Sequence, residues 1–306
     1  MKRRSFFIKS SLGAIGFILF PYLSWAKESE TNKKIGFIKN LVNYGVDKLG
    51  LDLKKEFFTK WGEDEDTNYF LYLSSTIKIE APKGMGNYLY FGNDKDLAQK
   101  TQREYIDNGF HSLLYTRIGK HQPELTNNLL TYSNTAIAFN IYHEAAHMHI
   151  KNHVKISSKL EEAACDIIGT MGAQFYAEKN ENLDLDLVKK QNVTLEKANK
   201  EINKFAALIT DNTEANDKVH RKLERILFKL FKKSDNFFKN RFIHPVNNAY
   251  LLMMLNYCSY YELMKKVAIN DVHINTFLQT LEQLPKNEEK AIIKLKEKIR
   301  TNKNDR

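Results

Sequence analysis

Two short motifs, close together in the chain, restrict its fold more than any other feature of the sequence. Residues 142–147 read Tyr-His-Glu-Ala-Ala-His, and after 14 further residues 162–166 read Glu-Ala-Ala-Cys-Asp. Apolar residues recur at helical spacing across 137–148, and Ser133 or Asn134 is suited to cap the start of that helix. We therefore expect a helix at each motif.

The residue types in these motifs are those of a metal site. Histidines four residues apart project from one face of a helix, so His143 and His147 can bind one zinc ion at about 2.0–2.1 Å. Glu144 lies off that face and can reach a water on the metal without being a ligand. Catalytic zinc with two histidines takes a third protein ligand, and Glu162 fits that role. Asp166, four residues further on, is suited to accept the free ring N–H of a ligating histidine. One Zn²⁺ per chain is expected.

On these residues the chain resembles the gluzincin metallopeptidases. That family combines His-Glu-x-x-His with a glutamate ligand on a later helix, commonly followed four residues later by an aspartate. The short spacer is similar to that of a group of bacterial secreted metallopeptidases. The resemblance implies hydrolysis of a peptide or protein substrate, whose side chains it does not define. By this resemblance, zinc would be bound by His143, His147 and Glu162. Glu144 would be the general base, and Asp166 would support a histidine.

Other interpretations of the same residues stay open. Glu161 is a rival to Glu162 as the third ligand, although its partner four residues on is Cys165 rather than an acid. His153 has the spacing that metzincin metallopeptidases use, but Ile150 is poorly suited to the sharp turn that those proteins need. The acidic pair at 161 and 162 would also suit the solvated face of an ordinary helix.

A peptidase also needs a hydrogen-bond donor for the oxyanion that forms when water attacks. The segment 241–245 offers His244, because Pro245 would suit the first turn of the next helix and leave His244 facing a cleft. A helix cap or a surface histidine explains His244 equally well. His220 and Tyr250 are weaker candidates.

The N-terminus has the features of an export signal. Basic residues at 2–4 precede an almost wholly apolar stretch at 12–23, and Ser24-Trp-Ala26 resembles a cleavage site. The paired arginines followed by Phe6 look like a twin-arginine signal. An uncleaved anchor is the alternative, but the apolar run is shorter than the roughly 20 residues of a spanning helix. We predict a periplasmic or secreted protein.

Charge and cysteine content exclude other classes. Without the four basic residues of 1–26, the formal charge falls from +10 to +6, and the remaining basic residues are spread among acids. This distribution gives little support to nucleic-acid binding. Two cysteines cannot form the disulfide framework of a small secreted domain. Any membrane contact is expected only through an uncleaved signal, and the oligomeric state is undefined.

The predicted fold is α+β and predominantly helical, with a small β-sheet in the N-terminal half packed near the active-site helix and a helical C-terminal half. Strand-like stretches lie at 69–73, 76–79 and 88–91, and helices are expected around 219–238, 246–267 and 271–300. We divide the chain into an export signal, a catalytic core and a helical region that completes the cleft, at 1–26, 27–175 and 176–306.

The functional hypothesis is an exported zinc-dependent metallopeptidase. Two alternatives belong to other classes. One is a zinc-binding or regulatory module of the same fold that lacks catalysis, and the other is a helical envelope protein whose histidines are incidental. Within the enzyme class, an amide hydrolase acting on cell-wall peptides is the alternative.

Overall fold

The computed structural model of the chain describes residues 16–61, 67–86, 88–118, 124–271 and 273–304. The fold is α+β and predominantly helical, as predicted. The strands are β1 (Thr67–Ser74), β2 (Leu89–Tyr90) and β3 (His111–Ile118). The helices are α1 (Gly16–Asp47), α2 (Lys95–Asp107), α3 (Asn127–Thr131), α4 (Asn134–His153), α5 (Ser158–Ala177), α6 (Leu185–Ala206), α7 (Thr213–Phe231), α8 (Asn236–Phe242), α9 (Asn248–Cys258), α10 (Tyr261–Asp271), α11 (Ile274–Glu282) and α12 (Glu288–Asn304).

The predicted export signal falls largely outside this description. Residues 1–15 lie outside the described residues, and the backbone of 16–26 forms the beginning of α1. Among the described residues, no helix combines the length and the apolar character needed to cross a membrane.

The sheet is small and antiparallel, with β1 between β2 and β3. The predicted strands at 69–73 and 88–91 correspond to β1 and β2, whereas β3 was not predicted. Phe70 of β1 lies opposite both Tyr90 and Tyr115, so aromatic side chains from three strands share one face. The opposite face meets α2, where Gln102 donates to Ser112 of β3 at 3.3 Å.

The predicted strand at 76–79 is wrong, because these residues form a bend. Ser74 Oγ closes the bend by accepting a hydrogen bond from the Glu80 N–H at 3.1 Å and lying 3.0 Å from the Lys78 carbonyl oxygen. Asn248 of α9 donates from its amide to the Ser75 carbonyl at 2.9 Å. Side chains rather than a neighbouring strand therefore satisfy the backbone of this segment.

The two motif-bearing helices form an antiparallel hairpin. Ser133 caps α4 as predicted, its hydroxyl accepting from the Ala136 N–H at 3.3 Å. The chain becomes extended at Val154 and enters α5 a few residues later. In this register His143 lies opposite Asp166, and His147 lies opposite 161–162.

Two glycines of α5 let the hairpin close tightly. A Cβ atom at Gly172 would lie 2.8 Å from the ring of Tyr142, and one at Gly169 would lie 3.1 Å from Phe139. Both aromatic side chains are fully buried. Because α5 has no side chain at these points, large residues of α4 pack directly against its backbone, and the two polar faces are held at a fixed separation.

The C-terminal half joins the sheet to the helical hairpin. Helix α9 packs against β1, β3 and α5, so the sheet reaches the hairpin through this helix. Helix α8 is placed by Asp235, which caps it by accepting from the Phe237 N–H at 2.8 Å and also accepts from the Ser133 N–H at 2.8 Å. The start of α8 is therefore tied to the start of α4.

The predicted C-terminal helices are present but more divided than expected. The helix predicted at 219–238 is interrupted after Phe231, the one at 246–267 is interrupted near Ser259, and the one at 271–300 is interrupted around Pro285. Pro285 lies between α11 and α12, where a residue without a backbone N–H cannot continue the helix.

Candidate metal centre

Three side chains bring one potential ligand atom each to a common point between α4 and α5. The Nε2 atoms of His143 and His147 are 3.2 Å apart. Glu162 Oε2 lies 3.4 Å from Nε2 of His147 and 3.6 Å from Nε2 of His143. Ligands at about 2.0–2.1 Å from a tetrahedral zinc ion are separated by about 3.3 Å, so this triangle has the size of one face of such a site. The group can hold a metal ion.

The chemistry of the three atoms also favours a cation. Glu162 Oε2 is buried and has no hydrogen-bond partner among the described residues. The two histidine nitrogens that face it carry lone pairs when the rings are neutral with their proton on Nδ1. Three electron-rich atoms in contact repel one another unless a metal ion or a proton lies between them. The donor set of two imidazoles and one carboxylate is one that zinc accepts.

The outer nitrogen of each histidine faces a carboxylate. His147 Nδ1 donates to Glu161 Oε1 at 2.7 Å. His143 Nδ1 lies 3.0 Å from Asp166 Oδ1, although its ring N–H is not aligned for a regular hydrogen bond. Both contacts favour the tautomer with its proton on Nδ1, which leaves Nε2 of each ring free to face the metal position.

Asp166 is held in turn by Arg241 of α8. The guanidinium donates from Nη1 to Oδ1 at 3.0 Å and from Nη2 to Oδ2 at 2.6 Å. Its Cζ atom lies 4.4 Å from the ring centroid of Tyr257 and 5.3 Å from that of Phe242. The cation thus lies close to two aromatic rings and is fixed by a planar two-point contact.

This arrangement sets the charge of the buried groups. Burial alone would raise the pKa of Asp166, but Arg241 and His143 outweigh it and hold that pKa below its usual range. Burial alone would lower the pKa of His147, but Cys165, Glu161 and Glu162 outweigh it and the pKa is raised well above the usual value. Since burial raises the Cys165 pKa to about 12, its thiol is neutral near pH 7 and the carboxylates supply the charge.

The predicted general base directly follows His143 in the sequence. Glu144 is half-buried on α4, between the two histidines. Tyr257 of α9 was not among the donor candidates named from the sequence. Its pKa is raised well above the usual value by the Glu162 carboxylate and by burial, so its hydroxyl remains protonated and can donate a hydrogen bond.

The three donor candidates named from the sequence are engaged in other contacts. His244 donates from Nε2 to the Asn240 carbonyl at 2.6 Å, and its pKa is lowered by burial. Pro245 lies before α9 rather than in its first turn, because Asn247 caps that helix. His220 donates to the Asn248 side chain at 2.9 Å, and Tyr250 donates to the Phe242 carbonyl at 3.1 Å.

The rival ligands lie elsewhere. His153 is exposed and its Nε2 pairs with Asp52 Oδ2 at 2.8 Å, and it is not a member of the metal-binding group. Glu161 contacts the outer nitrogen of His147 rather than the metal position. Cys165 and Cys258 are both buried as free thiols.

Two contacts of the site were not predicted: Arg241 with Asp166, and Glu161 with the outer nitrogen of His147. Arg241 lies 75 residues from Asp166 in the chain, so no local sequence pattern could predict this contact. The contact of Glu161 with His147 depends on how α4 and α5 are aligned against each other, which the sequence alone does not define.

Comparison of the chain with protein families, with curated proteins and with solved structures finds no match.

Proposed function

We propose that the chain is a zinc-dependent metallopeptidase. The observation that carries this proposal is the convergence of His143 Nε2, His147 Nε2 and Glu162 Oε2 within one tetrahedral face. The three atoms use one face of a metal ion and leave a further position for water or substrate, as catalytic zinc sites do. Glu144 follows His143 directly, as the general base does in the zinc peptidase motif.

The proposed roles of the residues follow from their placement. Zinc bound here would acidify a water molecule and polarise the scissile carbonyl. His143, His147 and Glu162 would hold the ion, and the carboxylates behind the two rings would place the Nδ1 proton and direct Nε2 at it. Glu144 takes a proton from the attacking water and passes it to the leaving amine.

Tyr257 is the donor that we assign to the developing oxyanion, in place of His244. Its ring lies 4.4 Å from Cζ of Arg241, the cation that holds Asp166 behind His143, and its phenol is protonated near neutral pH as tyrosine ordinarily is, whereas His244 donates its Nε2 proton to a backbone carbonyl. A neutral phenol supplies a hydrogen bond where negative charge develops and adds no charge to the resting site.

The test is hydrolysis of a mixture of fluorescence-quenched peptides by zinc-loaded protein. We expect Glu144→Gln to bind zinc normally and to lose at least about 100-fold in rate, because a general base contributes about 10²–10⁴. Tyr257→Phe should lower kcat with little change in KM, whereas His244→Ala should change neither. Zinc-loaded wild-type protein that cleaves no peptide would favour the non-catalytic zinc-binding module.

A further inference from the structure

We propose that Glu161 is a positioning residue that orients His147 and adds an uncompensated negative charge to the metal site, and that this charge strengthens metal binding. The proposal rests on the proposed function only in so far as the site binds zinc. It concerns a residue that neither binds the metal nor touches the reacting atoms.

The geometry gives Glu161 a defined contact. Its Oε1 atom accepts from His147 Nδ1 at 2.7 Å, the length of a charge-assisted hydrogen bond. The side chains of Glu161 and His147 are only 19% and 15% exposed, so water screens this contact weakly. A carboxylate in this position raises the basicity of the opposite ring nitrogen, which is the atom that faces the metal position.

The two histidines are supported unequally. Behind His143, Asp166 gives both of its oxygens to Arg241, so the guanidinium neutralises its charge. Behind His147, no lysine or arginine pairs with Glu161 among the described residues. The support at Asp166 therefore fixes the orientation of a ring, whereas the support at Glu161 also supplies net charge.

Substitutions of Glu161 can therefore separate the orientation of the His147 ring from the supply of negative charge. Glutamine at 161 keeps an oxygen that can accept the ring N–H but removes the charge, and alanine removes both. Asp166 is unsuitable for this comparison, because altering it would leave the buried Arg241 without its partner. Glu161 is half-buried at the first turn of α5, and among the described residues a neutral side chain there leaves no lysine or arginine without its partner.

The experiment measures the zinc dissociation constant of the purified chain by competition with a chromogenic chelator near neutral pH. We expect Glu161→Gln to weaken binding by about tenfold and Glu161→Ala by up to about 100-fold, the range found for outer partners of metal ligands. Glu214→Gln is the matched control, because Glu214 is an exposed residue of α7 that pairs with Lys218, far from His143 and His147 in the chain. It should bind zinc as the wild type does.

Two further readouts separate positioning from folding. The metal-free Glu161→Gln protein should still unfold cooperatively, with only a modest fall in its urea midpoint, because its amide oxygen can accept the His147 ring N–H. The visible absorption of the cobalt-substituted protein should shift in Glu161→Gln, because a less basic His147 changes the ligand field. A wild type that binds zinc while both Glu161 variants bind it within about twofold of the same strength would overturn the proposal, since the expected range starts near tenfold.

The proposal and the proposed function can fail separately. Zinc binding that depends on Glu161, without peptide hydrolysis, would contradict the peptidase and support the role of Glu161. A wild type that binds no zinc would overturn both.

Discussion

Arg241 and Asp166 form a two-point ion pair, 2.6 Å at its shorter contact, that links the C-terminal half of the chain to the hairpin carrying the candidate metal centre. Asp166 Oδ1 is also 3.0 Å from His143 Nδ1. Helix α8 is thus tied to the hairpin at both ends. At its start Asp235 accepts from the Ser133 N–H, and near its end Arg241 donates to Asp166. The position of His143 depends on α8 as well as on its own helix.

Removing Arg241 should destabilise the whole fold. In Arg241→Met the Asp166 carboxylate stays buried without its cation, and breaking a buried pair in this way costs about 3–5 kcal/mol. Urea unfolding monitored by circular dichroism measures the change. Arg241→Lys should retain part of the stability, because an ammonium restores the charge but not the planar contact.

A matched control for this prediction is Arg221→Gln on the exposed face of α7. It should change the free energy of unfolding by less than about 0.5 kcal/mol, as surface substitutions usually do. Equal unfolding midpoints for Arg241→Met and wild type would show that the ion pair contributes no stability.

The close approach of α4 and α5 predicts a specific cost at Gly172. A methyl group there would lie 2.8 Å from the buried ring of Tyr142, so Gly172→Ala must displace one helix. We expect a loss of about 1–3 kcal/mol, as for other overpacked cores. Gly36→Ala in α1 is the control, because a Cβ there meets no atom within 4 Å. It should be neutral or stabilising, since alanine favours a helix more than glycine does.

Gly172→Ala should also weaken zinc binding, because the same displacement moves α5 and its ligand Glu162 relative to α4. A thermal shift assay with and without zinc measures both effects. A Gly172→Ala protein as stable as Gly36→Ala would contradict the close packing of this hairpin.

Two histidines at the end of the sheet predict loss of stability in mild acid. Burial lowers the pKa of His111 and of His220, and their mutual repulsion adds to the effect at His111, although Asp217 opposes it at both. His111 Nδ1 accepts from the Asn248 N–H at 3.3 Å, which requires an unprotonated nitrogen. Folding therefore favours the neutral rings.

Because folding lowers the pKa of both histidines, the free energy of unfolding should fall in mild acid. Stability from the two histidines is complete above the unfolded-state pKa of about 6.5, and it falls as the pH drops from there toward the lower folded-state values. Urea unfolding across mildly acidic pH measures the slope. His111→Gln should flatten it, whereas His273→Gln, at an exposed position, should not. If the pH dependence of unfolding were unchanged in His111→Gln, His111 would not be the cause of the loss of stability in acid.

Local patterns predicted much of the hairpin. Ser133 caps α4 where expected, and the four-residue spacing of His143 and His147 places both rings on one face of that helix. The distance between motifs also allowed Glu162 to reach this face. Each of these features depends on helical periodicity over a few turns, which the sequence records directly.

Features that depend on tertiary packing were not predictable in the same way. β3 has Leu113 and Leu114 in succession and is covered on both faces, so it lacks the alternation that marks a half-buried strand. The bend at 76–79 carries strand-forming residues, but Asn248, far along the chain, satisfies its backbone. Arg241 reaches Asp166 only because Asp235 ties α8 to α4.

The most direct test of the account is the zinc content of the purified chain and of two single variants, measured by elemental mass spectrometry. We predict one zinc per chain in the wild type, retention in His153→Ala and loss in Glu162→Ala, because Glu162 Oε2 lies within 3.6 Å of both Nε2 atoms and His153 pairs with Asp52. A wild type without zinc after purification in its presence, or zinc retained in Glu162→Ala, would contradict the metal centre described for this protein.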